Sequence, residues 1–207
     1  MSAPTTYANP YWDKVKDSVT IDHWDKNPVV GGIGMLDKFT ARHDLVSEYA
    51  WTITDPATVA FVVEHCGPQV VDPLAGSGYW AWLLGQHGID VAASDLKPGA
   101  SQWHSHGVHL PVVNEEGPIA VRATGPERTL LLSWPPYSDP IGARLVQVYR
   151  GDRIVYIGEG PYGCCGDDDM WERLESGWTE VASHRPVQWH GLRDWVTVYE
   201  RAGGVAR

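Results

Sequence analysis

Asp72, Gly76, Gly78 and Asp95 form the most specific grouping of binding-capable residues in this chain. They occur in "VVDPLAGSGYW" and "IDVAASD". Each acid closes a short apolar run, and the glycines stand between the first run and a helix-forming segment. Glycine permits a tight turn and close approach of the backbone to a ligand. The amides that open the following helix suit a carboxylate or other anionic group. Asp95 follows Gly78 at close to the ~20-residue spacing at which an acid after the second strand of a nucleotide-binding unit meets ribose hydroxyls. The third glycine of a dinucleotide fingerprint is absent; Ala81 stands there, a replacement the pattern tolerates. A nucleoside-type ligand and a plain strand–turn–helix junction are the two readings of this grouping.

A second grouping is "LLLSWPPY", residues 130–137. Three leucines read as a buried strand that runs into a rigid corner. Each proline locks its own φ and keeps the residue before it extended. Ser133, Trp134 and Tyr137 are thereby presented at a strand end. Trp134 is suited to cover a ring, contact a substrate or face a cation. Trp134 and Tyr137 as simple packing residues is the alternative. Glu159 ends a later apolar run in "VYIGEGPYG" and is a candidate general base or amine-holding group; it could equally cap a loop. Tyr162 follows on the same loop as a candidate pocket residue. His104, His106 and His109 lie close together in "WHSHGVH", but no Cys or acid falls among them in a zinc-type spacing, so no metal is expected. Cys164 and Cys165 are adjacent and Cys66 stands alone, which gives no disulfide framework and suits a reducing compartment.

The elements that must position these groups alternate. Asp55-Pro56 opens a helix, with Asp as N-cap and Pro at the first helical position, and Gly67 closes it. "QVVDPLA", "IDVAASD", "HLPVVNE", "RTLLLSW" and "RIVYIGEG" read as strands; "GYWAWLLGQHG", "DPIGARLVQVYRG" and "DDDMWERLESG" read as helices. "WTEVASHRPVQW" and "DWVTVYER" read as a final antiparallel pair. The alternation predicts an α/β, doubly wound, mostly parallel seven-stranded sheet, with ligands beyond the carboxyl ends of its strands. Residues 1–55 are aromatic-rich and weakly periodic, with a flexible "GGIG" at Gly31–Gly34; they read as an N-terminal lid on a domain spanning 56–207.

Formal net charge is −10, which works against a bare nucleic-acid partner, because a basic face supplies most of that affinity. No apolar run is long enough to span a membrane. The chain is expected to be soluble and cytoplasmic. Eleven Trp and nine Tyr can build flat pockets as well as cores.

The acid–GxG turn, the second acid and the strand-end Pro-Pro-aromatic corner together resemble class I S-adenosylmethionine-dependent methyltransferases. The resemblance covers residues 56–200 and includes a variant of the Pro-Pro-Tyr motif of amino-group methyltransferases. In that motif an Asp, Asn or Ser directly precedes the prolines; here Trp134 does, and Ser133 is one place earlier. A one-residue shift along a strand turns a side chain to the other face. The resemblance implies S-adenosylmethionine as cofactor, held by Asp72, Ala75, Gly76, Gly78, Asp95 and Ser133. It implies catalytic roles for Trp134, Tyr137 and Glu159, and a substrate lined by Tyr49, Trp51 and Tyr162. It also implies that the N-terminal segment, with Lys38, Arg42 and His43, covers the site; taken by themselves these residues read slightly better as a surface helix with ordinary charges. The reaction implied is methyl transfer to nitrogen or oxygen of a small planar molecule. Methylation of a nucleobase in DNA or RNA, and binding of the cofactor without turnover, are the alternatives.

Overall fold

The computed structural model describes residues 7–31 and 36–203, with side chains from residue 42 onward in the second segment. Gly32–Gly34 and the side chain of Lys38 lie outside the described residues. In chain order the elements are α1 (Pro10–Val15), a 3-10 turn (Lys16–Ser18), β1 (Val19–Ile21), β2 (Pro28–Val30), α2 (Leu36–Glu48) and α3 (Pro56–Cys66). Then come β3 (Gln69–Asp72), α4 (Tyr79–Gln86), β4 (Asp90–Asp95), β5 (Val113–Asn114), α5 (Gly117–Ala123) and β6 (Thr129–Ser133). The chain ends with α6 (Ile141–Val148), β7 (Arg153–Glu159), α7 (Asp168–Gly177), β8 (Trp178–His184), β9 (Gln188–Trp189) and β10 (Asp194–Arg201).

The main sheet has seven strands in the order β5-β4-β3-β6-β7-β10-β8. β5, β4, β3, β6 and β7 are parallel, and β10 runs antiparallel to both β7 and β8. Strand side chains alternate between faces, and both faces here are apolar. Val70, Leu131, Val155 and Ile157 pack on one side with Val62 of α3 and Leu84 of α4. Val71, Leu130, Leu132 and Ile154 pack on the other with Leu145 of α6 and Leu174 of α7. This two-sided burial explains why β3, β6 and β7 read as continuous hydrophobic runs. From β3 the chain builds outward through β4 to β5, then returns across to β6. Strand order therefore reverses between β3 and β6, where an open α/β sheet leaves a crevice.

Three features depart from the sequence reading. The run "HLPVVNE" contributes only two exposed residues to an edge strand, and most of residues 96–112 is irregular. The short helix α5 was not foreseen. Gln188–Trp189 does not continue β8; it pairs in parallel with β2 in a separate three-stranded sheet, β1-β2-β9. Each of these segments is too short for periodicity to register, and the β2–β9 pairing joins distant parts of the chain.

That small sheet ties the N-terminal segment to the core. Tyr11, fully buried, accepts a hydrogen bond from Trp189 Nε1 at 2.8 Å, and its own amide donates to the Tyr79 hydroxyl at 3.2 Å. Asp55 caps α3 as its sequence indicates, accepting from the amides of Ala57 (3.1 Å) and Thr58 (3.2 Å). It also accepts from the Val187 amide at 3.1 Å, just before β9. Asp55→Ala should therefore cost about 2–4 kcal/mol in urea unfolding, the sum of a lost cap and an orphaned buried amide. A loss below about 0.5 kcal/mol, the range of an ordinary surface substitution, would show that the cap carries no weight. Among the described residues, no helix is long and apolar enough to cross a membrane.

Candidate active site

The carboxyl ends of β3, β4 and β6 open on one cavity of about 440 Å³. Of the residues singled out in the sequence, Asp72, Ala75, Asp95, Ser133, Trp134, Tyr49 and Trp51 line it. Leu74, Trp103, His104, Glu116, Asp139 and Arg144 also line it; of these only His104 is among the residues the sequence singles out as able to do chemistry.

The glycine turn is built from its own backbone and one carboxylate. Ala75 N–H donates to the Ser94 carbonyl (3.0 Å) and Gly78 N–H to the Ala75 carbonyl (2.7 Å). Asp95 Oδ2 accepts from Gly76 N–H (2.9 Å), and Oδ1 accepts from Lys97 N–H (2.8 Å). Asp95 thus links the turn after β3 to the turn after β4. Gly76 and Gly78 have φ of +54° and +71°, where side chains are strained. Their open sides face the chain itself rather than the cavity. A Cβ on Gly76 would lie 2.4 Å from His104 Cδ2, and one on Gly78 would lie 2.8 Å from Val112 Cγ2. The sequence reading put a ligand against these glycines; the structure puts residues 99–112 there, so the turn meets the cavity through Ala75.

Those residues form a strap, and the three histidines fasten it. Gly99 N–H donates to the Gly76 carbonyl (3.0 Å) and His109 N–H to the Ser77 carbonyl (2.9 Å). His109 Nε2 lies 2.8 Å from the Glu48 carbonyl, and His104 Nδ1 lies 3.4 Å from that of Ser47. His106 Nδ1 lies 3.1 Å from the Ser47 hydroxyl. The strap therefore occupies carbonyl groups that α2 leaves open at its C-terminus. Burial holds the His104 imidazole below its ordinary pKa.

Asp72 is 1% exposed, and its Oδ1 has no hydrogen-bond partner. Burial pushes its carboxyl up to about 7, and the nearby Asp95 charge pushes in the same direction. A buried carboxylate oxygen without a partner, on a cavity wall, is free to accept a hydrogen bond from a group that enters the cavity.

Trp134 sits in the left-handed region, with φ of +46°. For a bulky residue this costs on the order of 1–3 kcal/mol, and such strain clusters at functional sites. Three contacts hold it. Its amide donates to the Ile157 carbonyl (2.7 Å), extending the pairing of β6 with β7. Its ring stacks on Trp51, with centroids 5.0 Å apart and planes 24° apart. Its Nε1–H donates to Thr52 Oγ1 (2.8 Å), which donates in turn to Asp194 Oδ2 (2.5 Å). Asp194 is 1% exposed, and burial pushes its carboxyl up to about 6. Nothing in the sequence marked Thr52 or Asp194, because neither lies in a motif and their contact spans most of the chain. Trp103 meets Trp51 edge-on, at 5.4 Å, so three indoles adjoin one another at the cavity.

The remaining candidates lie elsewhere. Tyr137 is 69% exposed and does not line the cavity. The corner after Trp134 is clamped to the loop beyond β7: the Pro135 carbonyl accepts from Gly166 N–H (2.9 Å), and Ser138 N–H donates to the Gly166 carbonyl (2.8 Å). This clamp brings Pro136 to the cavity and leaves Tyr137 outside it. Glu159 is buried, with Oε1 accepting from Arg193 N–H (2.7 Å) and Oε2 from Cys164 N–H (2.9 Å). It ties two loops together and does not line the cavity. Tyr162 is fully exposed, and Arg42 is partly buried on α2.

No family model matches the chain, and no curated protein matches it. Solved structures do align with it. Magnesium protoporphyrin IX methyltransferase from Synechocystis PCC 6803, with bound SAM, is 12% identical over 83% of this chain and 86% of its own, at a TM-score of 0.48. The 1,6-didemethyltoxoflavin-N1-methyltransferase of Burkholderia thailandensis, with 1,6-didemethyltoxoflavin and S-adenosylhomocysteine bound, is 20% identical over 88% and 97%, also at 0.48. The N-methyltransferase NodS from Bradyrhizobium japonicum WM9 is 11% identical over 70% and 92%, at 0.47. At these scores the overlaps are partial, and the fold rests on the strand order and register above.

Proposed function

We propose that the protein is an S-adenosylmethionine-dependent methyltransferase acting on nitrogen or oxygen of a small planar molecule. One observation carries this reading: the acids that end β3 and β4 and the strained tryptophan that directly follows β6 face a single cavity where strand order reverses. Its volume of about 440 Å³ falls within the ~300–1,000 Å³ common for small-ligand sites.

The residues present fit the cofactor. The unpartnered Oδ1 of Asp72 can accept from a cationic group such as the donor's methionyl ammonium, or lie against its sulfonium. Each Asp95 oxygen already accepts one backbone amide, and a carboxylate oxygen has room for a second donor such as a ribose hydroxyl. When bound, S-adenosylmethionine would supply an electrophilic methyl group. The chain's own contribution is orientation and exclusion of water: the indoles of Trp51, Trp103 and Trp134 line the cavity that receives the acceptor. Holding two reactants in line contributes on the order of 7–11 kcal/mol in well-oriented systems. Tyr137 and Glu159 have no place in this account. The acidic net charge favours a small-molecule partner over nucleic acid.

The test is calorimetric titration with S-adenosylmethionine and S-adenosylhomocysteine, followed by measurement of turnover with candidate acceptors. Absence of heat and of any thermal shift in a folded sample defeats the reading. Asp95→Ala should weaken binding of either ligand at least tenfold, because charge-assisted hydrogen bonds contribute ~1.5–3 kcal/mol. Unchanged affinity in a folded variant would remove Asp95 from the site.

A further inference from the structure

We propose that the acceptor atom is the nitrogen of a neutral base, such as an amine or a nitrogen heterocycle, whose conjugate cation the cavity also holds, and that anionic oxygen acceptors are excluded. The inference rests on the methyltransferase reading and adds the chemical class of its substrate.

The charge of the cavity wall decides between the two acceptor types. Asp72 and Asp95, which hold the cofactor in the reading above, line it together with Glu116 and Asp139; among the described residues the guanidinium on the wall is that of Arg144. Arg144 Nη2 lies 3.8 Å from Glu116 Oε2, so these two charges offset each other, and the remaining acids keep the described wall negative. Burial favours the neutral form of His104, the other basic side chain on the wall. Acids alone would be a solvated cluster, but two further observations point to a ligand. Asp72 is 1% exposed and its Oδ1 is unpartnered. The three indoles of Trp51, Trp103 and Trp134 line the same cavity, and indole faces attract cations.

Transfer to nitrogen and transfer to an anionic oxygen move charge differently. In the first, the nitrogen lone pair forms the new N–C bond. The C–S bond breaks with its electron pair passing to sulfur, and positive charge migrates from sulfur to nitrogen. The occupants stay cationic throughout, as an acidic aromatic wall requires. The methylated product can then release a proton from nitrogen to solvent. In the second, a carboxylate or phenolate must first enter a cavity walled by carboxylates, and the positive charge those carboxylates stabilise disappears as the bond forms. Electrostatic complementarity of a site is to the charge distribution of the transition state, and here it matches the first case.

The experiment uses the full chain, first saturated with S-adenosylhomocysteine as judged by calorimetry. Tryptamine, indole-3-propionamide and indole-3-propionate are then titrated separately; they share a ring and differ in charge. Tryptamine should bind at least tenfold more tightly than the propionate, with the amide between them. In Glu116→Gln/Asp139→Asn the preference should fall severalfold. Asn can still accept the Ile141 amide that Asp139 now accepts at 2.9 Å, which preserves the start of α6. Equal or tighter binding of the propionate, no measurable binding of tryptamine up to its solubility, or an unchanged preference in the double variant would overturn the inference while leaving cofactor binding intact. Failure of S-adenosylhomocysteine itself to bind would remove the methyltransferase reading, and the inference with it.

Discussion

Asp72→Asn is expected to make the ligand-free protein more stable at pH 8 and to weaken S-adenosylmethionine binding by roughly a hundredfold, as loss of a buried ionic partner does. The carboxyl is buried, one oxygen lacks a partner, and its folded-state pKa is raised to about 7 from an ordinary 3.8. A raised carboxyl pKa means that the unfolded chain ionises first. Stability contributed by the protonated group is present below about pH 4 and is lost as pH rises towards 7. Asn removes that loss, so the variant should match the wild type near pH 4 and exceed it by about 1–3 kcal/mol at pH 8, measured by urea unfolding. Ligand binding should show the opposite preference. A cation beside Asp72 favours the ionised form, so wild-type affinity should strengthen up to tenfold per pH unit below 7 and level off above it, whereas the variant should lose this component. Equal losses for S-adenosylmethionine and S-adenosylhomocysteine would place the ammonium beside Asp72; a larger loss for the former would place the sulfonium there. A variant with unchanged stability and unchanged affinity would mean that the Asp72 carboxylate is hydrated or paired in the folded protein and does not meet the ligand.

The parts of this site that were legible in the sequence are those encoded locally. The acids closing β3 and β4, the Asp55 cap and the β6 strand end each lie within a short window whose pattern has a direct physical reading. Motif position did not carry orientation. Tyr137 belongs to the Pro-Pro-Tyr corner, yet a left-handed Trp134 and a clamp from Gly166 turn it away from the cavity. Glu159 ends a strand at the ligand edge, yet two backbone amides from separate loops take up its oxygens. Gly76 and Gly78 do permit close approach, but the approaching group is a strap of the same chain. The charged wall was hidden for a different reason. Asp139 and Arg144 lie at and just inside the start of α6, where charged residues read as ordinary helix composition, and only the path of the chain from β5 to α6 brings Glu116 to them.

Thr52→Val should lower stability by about 2–5 kcal/mol, although it replaces one side chain with another of nearly the same shape. Thr52 is fully buried, and its hydroxyl both accepts from Trp134 and donates to Asp194. Valine would leave an indole N–H and a carboxylate oxygen unpaired together, each costing ~1–3 kcal/mol. The Thr52 hydrogen bond also holds the Asp194 carboxyl down against burial, which raises it to about 6. Without that bond the carboxyl rises further, so the stability lost between pH 4 and 6 in the wild type should continue to be lost at higher pH in the variant. Thr52→Ser should restore most of the stability, and Thr52→Val/Asp194→Asn should be less damaged than additivity predicts, because the second change removes the unpaired charge. The same hydroxyl fixes the Trp134 ring against Trp51. In the variant, under conditions where it remains folded, KM for the acceptor should rise at least severalfold while affinity for S-adenosylhomocysteine stays within about twofold, a split that a general loss of structure would not produce. If stability falls by less than about 0.5 kcal/mol, the ordinary surface range, the Trp134–Thr52–Asp194 chain does not hold the ring. If acceptor and cofactor affinities fall together, Trp134 belongs to the cofactor side of the cavity and not to the acceptor wall.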